Sequence, residues 1–462
     1  MVVQRLHDSF KNNFSYTLLL GVLLALPFSY YPLLTFGKIA GVHIDISLLY
    51  ILILITIAGS LPFLFANRNV LKSNPAWVLL LFFTVFTSLS VLWSANSARG
   101  IITAGFMWVM LLLVSLVVAH HPALIRNRKM VAILFGSSIA VSLAWATWQL
   151  IGDSLGISNT FTLLPQNYNG NVFGVARPTG FALEPQFFAN ILLAPLGWFV
   201  WRALKNDSSG LSVAGAPIIF IFILLSLSRG AILASFVIIV VLLVASRSAL
   251  IVRAKVLSLL VAGIVLAGAI TYSAASLRQS DNISGYQALS GTVSHLSLEV
   301  IKLPINTNAT TDTVSSSTTR ESAAQSSPGY VISSTTSRLS MSEEALRIWQ
   351  RDIFTTLFGV GAGGFGASLP RPAQGAVVNN YYLETLAELG IVGLGLFMGT
   401  LGTIGTLLVR NRQWLSLAIL LGYTVQFIFF SGNANIVHVW VLIGVLAAIA
   451  TPYQRKQNKS AK

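Results

Sequence analysis

Twelve separate stretches of this chain are apolar for long enough to cross a bilayer, and that restricts the fold more than any motif does. A helix needs about 20 mostly apolar residues to span a hydrocarbon core. Such runs fall near residues 16–36, 46–65, 76–93, 101–119, 130–151, 186–204, 213–228, 230–246, 256–275, 381–409, 413–430 and 436–452. In lipid every backbone N–H and C=O must find a partner within the chain, so the runs are expected to be helices. The expected fold is therefore all-α, a polytopic membrane protein with about 12 transmembrane helices. Of the 462 residues only 9% are charged, against about a quarter in a soluble domain. The first run is too long for a removable signal peptide, and no small-residue cleavage site follows it.

The few charges are lopsided, with 29 Lys and Arg against 14 Asp and Glu. In a soluble protein a net +15 would suggest nucleic acid. In a membrane protein basic residues instead mark the cytoplasmic connections. With both termini cytoplasmic, those connections carry a net +16, including Arg126, Arg128, Lys129 and the basic tail 453–462. The opposite side then sums to −1. The charge sets orientation, and no nucleic-acid partner is expected.

Two outward connections are substantial, 152–185 and 276–378. The chain thus divides into helices one to nine (1–275), a large extracytoplasmic loop (276–378), helices ten to twelve (379–452) and the tail. Within the loop, 306–338 is Ser/Thr-rich, with 17 Ser or Thr among the 31 residues 307–337, and is expected to be flexible. The stretch 339–357 reads as one amphipathic helix on the outer membrane surface. Leu346, Trp349 and Ile353 mark its apolar face, and Glu343, Arg347 and Arg351 form a charge ladder. The run FGVGAGGFG follows, with five glycines from Gly359 to Gly366. It contains G-x-G-x-x-G, but no strand precedes it, so a dinucleotide fold is excluded. Its backbone could offer N–H groups to a diphosphate, or could be a tight re-entrant turn.

Charges at a membrane boundary are costly, so each needs a partner or a function. Arg229 sits at the tip of the hairpin LSLSRGAILAS, and Arg177 lies in ARPTGFALEPQ with Glu184 seven residues on. Glu384 and Glu388 share one face of the tenth span. An arginine fork suits phosphate oxygens because it gives paired, charge-assisted hydrogen bonds and never deprotonates. The alternative is that the arginines pair with Glu184, Glu384 or Glu388 to hold helices together. The glycines Gly390, Gly393, Gly395 and Gly399 are expected to serve close helix packing. His295 and His438 read as isolated. There is no cysteine, and no His or carboxylate cluster has metal-ligand spacing, so no metal and no cofactor is expected.

Taken in order, several segments resemble the bacterial O-antigen ligases and the related O-antigen polymerases. They are the S-x-x-W-S run Ser90–Ser94, ARPTGF with Arg177, the LSLSRGA hairpin with Arg229, and the long loop ending in W-x8-F-G-V-G. A further piece resembles the ligase signature His-[Asn/Ser/Gln]-x9-Gly-x-x-[Gly/Thr/Val]. Here Asn379-Asn380 is followed by nine residues and then Gly390-Ile-Val-Gly393. The likeness spans most of the chain.

The resemblance implies a metal-independent membrane glycosyltransferase of surface polysaccharide biosynthesis, in the bacterial inner membrane with its site facing outward. The implied donor is an undecaprenyl-diphosphate-linked glycan. The implied acceptor is a lipid A-core-like molecule in ligases, or another lipid-linked repeat unit in polymerases. Family arginines hold the diphosphate, which points to Arg177, Arg229 and Arg338 or Arg347, with Asn380 as a further binding residue. The family histidine thought to assist the acceptor hydroxyl is replaced by Asn379, which has no basic nitrogen near neutral pH. Glu184 and Glu384 are the candidates to take over, or positioning alone suffices. A polymerase remains the alternative to a ligase, and a transporter or flippase is the alternative from another class.

Overall fold

The computed structural model describes residues 2–29, 32–39, 42–170, 174–205, 210–278, 284–296, 329–373, 376–430 and 436–451. Most of the stretch 306–338, expected to be flexible, and all of the tail 453–462 lie outside them. All twelve apolar runs contain a helix among the described residues. In chain order the principal helices are α1 (Val2–Ala25), α2 (Leu48–Ala66), α3 (Pro75–Ser90), α4 (Ser97–Arg126), α5 (Arg128–Ser154), α6 (Pro185–Leu204), α7 (Gly210–Leu225), α8 (Arg229–Ala245) and α9 (Leu250–Leu277). Then come α10 (Gly285–Leu296), α11 (Gly329–Trp349), α12 (Ile353–Phe358), α13 (Tyr381–Arg410), α14 (Trp414–Gln426) and α15 (Val437–Ala450). Seven helices among the described residues are long and apolar enough to span alone, and five shorter apolar ones occupy the remaining expected positions.

The first span departs from expectation. It ends at Ala25, and an antiparallel hairpin of Pro32–Ile39 and Val42–Ser47 fills the segment read as its continuation. Pro27 and Pro32 cannot extend a helix because each lacks the N–H that would bond back. VHIDIS then alternates apolar and polar residues with the period of a strand. Among the described residues the protein is all-α apart from this ribbon.

The chain folds as two compact units, residues 1–138 with 340–462, and residues 139–339. In the first unit α4 is central, packing against α2, α3 and α15, while α3 also packs against α13. Its most buried residues, such as Met110, Leu113 and Val114, are wholly enclosed by protein. A polar seam ties α1, α2 and α4. The Ser15 hydroxyl donates to Ser60 at 2.7 Å and lies 2.8 Å from His120, whose ring stacks on Phe63 at 4.0 Å. In hydrocarbon, where apolar contacts between helices gain nothing over lipid, such bonds help fix which helices pair.

At one end of this unit the helices join through short polar turns. The Asn74 side chain donates to the Ala447 carbonyl, and that of Asn411 to Ala450. The basic residues Arg68, Lys72, Arg410 and Arg412 flank those turns. At the other end lie the 91–96 turn, α12, the glycine run and the start of α13. In the second unit α6 packs on α7 and α8, and α9 packs on α7 and α10.

The amphipathic helix expected over 339–357 is two helices. α11 begins at Gly329, ten residues early, and stops at Trp349. Asp352 then starts α12 with a reciprocal capping box, accepting from the Thr355 N–H at 2.8 Å while its own N–H donates to the Thr355 hydroxyl. A strong N-cap ends the preceding helix because its backbone must be extended. The buried face is also different. Ala345 and Ile348 face a small core with Val360, Phe365, Val378 and Ala387, whereas Leu346 and Ile353 are 38% and 76% exposed. The charge ladder is replaced by Arg347–Glu344 and Arg351–Asp352 pairs on the surface.

Candidate functional site

In the second unit Arg177 and the Arg229 turn meet, Arg177 Nε donating to Ser226 O, and their charge reaches His295 in the last turn of α10. It is 5% exposed, its ring bonds to the Leu227 backbone, and the charges acting on it are those of Arg229, Arg177 and Arg338. Burial first, then these guanidiniums, lower its pKa to about 3, so it is neutral at any physiological pH. The sequence marked Arg177, Arg229 and Arg338 separately. It left His295 isolated, which the structure corrects.

Local chemistry explains how each arginine is presented. α7 ends at Leu225, and Leu227 takes a left-handed conformation with φ 52°, unusual for a branched side chain. The turn is stapled from inside: the Ser226 hydroxyl donates to Ile223 O at 2.6 Å and accepts from the Ser228 N–H at 3.2 Å. Arg229 is then the first residue of α8. A cation at a helix N-terminus opposes the positive end of the helix dipole, and Ser228 gives no side-chain cap. Guanidinium and helix end together present positive charge, an arrangement that suits an anion.

Arg177 reaches the same turn from the other side. Its Nε donates to Ser226 O at 3.0 Å, its N–H donates to Tyr168 O at 2.9 Å, and its guanidinium lies over the Tyr168 ring. The segment carrying it is anchored on α5. Gln149, fully buried, accepts from the Thr179 and Gly180 N–H groups and donates to the Gly180 carbonyl. A second tie is the Arg278–Asp153 ion pair at 2.6 Å, with Arg278 also donating to Asn169 O. Glu184, just before α6, completes the group. Burial raises its pKa above the ordinary carboxylate value, and Arg177 and Arg338 pull it down by less.

The first unit holds the other candidates. Asn379 is left-handed, with φ 55°, and Asn380 caps α13 by accepting from the Tyr382 and Leu383 N–H groups, both at 3.1 Å. The side-chain oxygen of Asn380 is thus committed to the helix end, leaving only its amide group for a ligand. Glu384, one turn on, is 7% exposed, and its Oε2 has no hydrogen-bond partner. Arg99, in the first turn of α4, supplies the nearby positive charge. Sequence reasoning missed Arg99; its signal is again a basic residue set against a helix dipole. Arg347 also lies in this unit, 71% exposed and paired with Glu344 at 3.1 Å.

Glu388 and the glycine run form one joint. The Glu388 carboxylate accepts from the Gly363 N–H at 2.9 Å and the Phe365 N–H at 3.3 Å. The Val360 and Gly361 N–H groups donate to the carbonyls of Ala387 and Glu388. Those carbonyls are accessible because α13 breaks at Gly390, with φ 64° and ψ −166°. Gly359 and Gly390 press backbone on backbone, so a Cβ on either would overlap the opposing chain. The S-x-x-W-S run closes the joint, as the Ala362 N–H donates to the Ser90 hydroxyl and the Ser94 hydroxyl donates to Ala362 O.

These contacts decide between the two readings of the glycine run and correct one expectation. The N–H groups of Gly363 and Phe365, candidate donors to a diphosphate, are taken by Glu388, so the run is a structural turn. Gly390 serves a helix break rather than helix packing, and a Cβ at Gly395 would meet nothing within 4 Å. Among the described residues no three His, Asp or Glu side chains come together in a way that could hold a metal ion.

Residues 214–398 match the model of the family described as O-antigen ligase. No curated protein matches the chain. The matched stretch includes the Arg229 turn, α10 with His295, Arg338, the glycine joint and the start of α13.

Proposed function

We propose, from the likeness of residues 214–398 to the O-antigen ligase family and from the arginines of the second unit, that the chain transfers a glycan from undecaprenyl diphosphate to an acceptor hydroxyl. The transfer takes place at the outer face of the bacterial inner membrane, with both termini cytoplasmic. The observation that carries this reading is that Arg177 and Arg229 meet at one turn: Arg177 Nε donates to Ser226 O at 3.0 Å, and Arg229 opens α8 three residues on. Orientation is supported in the first unit, where the basic turns lie at one end and the glycine joint at the other.

The chemistry follows from charge. The acceptor oxygen attacks the anomeric carbon, the bond from that carbon to the diphosphate oxygen breaks, and its electron pair leaves with the diphosphate. Guanidiniums placed where this negative charge develops stabilise the transition state more than the ground state. The proton of the acceptor hydroxyl goes to a carboxylate, Glu184 or Glu384. Its raised pKa makes Glu184 a stronger base than an ordinary carboxylate. Asn379 holds the left-handed turn that sets the α13 cap, and Asn380 and Arg347 are secondary contacts for glycan or headgroup.

Purified protein in nanodiscs, given a lipid-diphosphate glycan and acceptor, is expected to form product. Arg229→Ala and Arg177→Ala should lower the rate at least about 100-fold, the loss typical of one transition-state charge contact, while both variants remain in the membrane. Wild-type rates in both would refute the reading. Asn379, standing where the ligase signature has histidine, leaves the polymerase as the second reading. Mass spectrometry of a deletion strain separates them: full-length lipid-linked polymer accumulates without a ligase, single repeat units without a polymerase.

A further inference from the structure

One face of α5 carries the segment that presents Arg177. Trp145, Gln149 and Asp153 stand four residues apart, a spacing that lines side chains along one side of a helix. Trp145 lies against the Phe181 ring, with centroids 5.2 Å apart, and Gln149 holds the backbone of Thr179 and Gly180. Asp153, 6% exposed, takes the third position through Arg278, which follows the end of α9. A single nitrogen of Arg278, Nη1, donates to Asp153 Oδ2 at 2.6 Å and to Asn169 O at 3.0 Å. The segment is thus held after Arg177 by Gln149 and before it by Arg278.

The hold by Arg278 bears directly on Arg177. Successive carbonyls of the segment serve the two arginines: that of Tyr168 accepts from the Arg177 N–H at 2.9 Å, and that of Asn169 accepts from Arg278. The Tyr168 ring lies 5.6 Å from the Arg177 guanidinium, within cation–π range. Where Tyr168 sits therefore fixes both the backbone of Arg177 and the setting of its guanidinium. A guanidinium gives paired bonds to phosphate only in its own plane, so its orientation matters as much as its charge. Gly170 makes room for the bracket: it has φ 68°, and a Cβ there would overlap the Arg278 guanidinium. Because Arg278 is paired with Asp153, the two together bring no net charge; what they supply is position.

We propose that Arg278 is a positioning residue for glycan transfer: held by Asp153, it fixes Asn169 and Tyr168 and so aims the Arg177 guanidinium at the diphosphate. The proposal rests on the reading of Arg177 as a diphosphate contact. Without Arg278 the positive charge of Arg177 remains in place, so the ground-state attraction for the donor is kept. What is lost is alignment, and a misplacement of about 1 Å can cost about 100-fold in rate. The expected signature is a fall in kcat with little change in KM. A staple that only keeps the protein folded would instead lower the amount of active enzyme whatever residue stands at position 177.

The test is a double-mutant cycle on transfer, measured with the full-length protein in nanodiscs given a lipid-diphosphate glycan and acceptor. Arg278→Gln is expected to lower kcat by about 10- to 100-fold, with KM within about threefold of wild type. In the Arg177→Ala background the same change is expected to alter the rate by less than about twofold, since no guanidinium is left to aim, whereas independent losses would multiply. Equal losses in both backgrounds, a loss confined to KM, or a wild-type rate in Arg278→Gln overturns the proposal and leaves Arg177 standing as a diphosphate contact. A wild-type rate in Arg177→Ala, or no product from wild type, overturns that contact and the proposal with it. Should Arg278→Gln fail to accumulate in the membrane, Asp153→Asn, which keeps the shape and one oxygen but removes the charge, runs the same cycle, with a smaller loss expected and the same outcomes deciding.

Discussion

Replacing Glu388 by Ala tests whether the glycine run is a joint or a ligand cradle. The substitution removes the acceptor for two backbone N–H groups, Gly363 at 2.9 Å and Phe365 at 3.3 Å, at a side chain only 8% exposed. A buried donor left without a partner costs about 1–3 kcal/mol. Because the second bond is long, the two together come to about 2–4 kcal/mol. At about 1.4 kcal/mol per factor of ten, the opening equilibrium of the run should rise by about 30- to 700-fold. Hydrogen exchange of peptides covering 359–373, read by mass spectrometry in nanodiscs, measures that opening directly. The bonds from Val360 and Gly361 to α13 are to backbone carbonyls and survive, so peptides from α15 should exchange as in wild type. Glu388→Gln keeps one carbonyl oxygen in place and should fall between. Exchange in 359–366 within about threefold of wild type, a difference near 0.6 kcal/mol, would refute the account of the run as a turn clamped by Glu388.

Further outcomes follow from the same geometry. Gly390→Ala and Gly359→Ala each force a Cβ into opposing backbone at a positive φ; both should destabilise by more than about 1 kcal/mol, seen as a lower melting temperature of the purified protein. Asn379→Gly should keep the left-handed turn, and transfer within about tenfold of wild type, a change near 1.4 kcal/mol, whereas Asn379→Val should lose both the turn and transfer. Glu184 has a raised pKa, so its stability contribution is full below the ordinary glutamate value of about 4.3 and is lost as pH rises through the raised value. The melting temperature of Glu184→Gln relative to wild type should therefore increase from about pH 4 to about pH 7. His295 has a lowered pKa, and its contribution runs the other way. It is complete above the unfolded value of about 6.5 and falls toward about 3. Melting curves of wild type should drop below those of His295→Gln as the pH is lowered through this window.

The spans were legible because hydrophobic length is a local property: each of the twelve apolar runs contains a helix, with ends displaced by a few residues. The departure at 16–36 has a local cause too, since Pro27 and Pro32 stop α1 and the alternation of VHIDIS favours a strand. Over 339–357 two local signals compete, and the Asp352–Thr355 capping box prevails over helical periodicity. Arg177 and Arg229 could be singled out because charge beside a span is costly wherever it falls. Arg99 was missed because its significance depends on Glu384 and Glu388, hundreds of residues away.

By itself the sequence determined the class of fold, the places of the apolar helices and the few charges worth asking about, since apolar length, proline and charge act through neighbours along the chain. Only the tertiary structure decided which of those charges act together. His295 looks isolated in a long connection and proves to be buried within reach of the charge of Arg229, Arg177 and Arg338; Glu388 looks like a second acid beside Glu384 and becomes the clamp of a glycine turn. In both cases the deciding quantity is burial beside a group distant in sequence. Desolvation and Coulomb interaction depend on distance in space, and a residue pattern carries no measure of it.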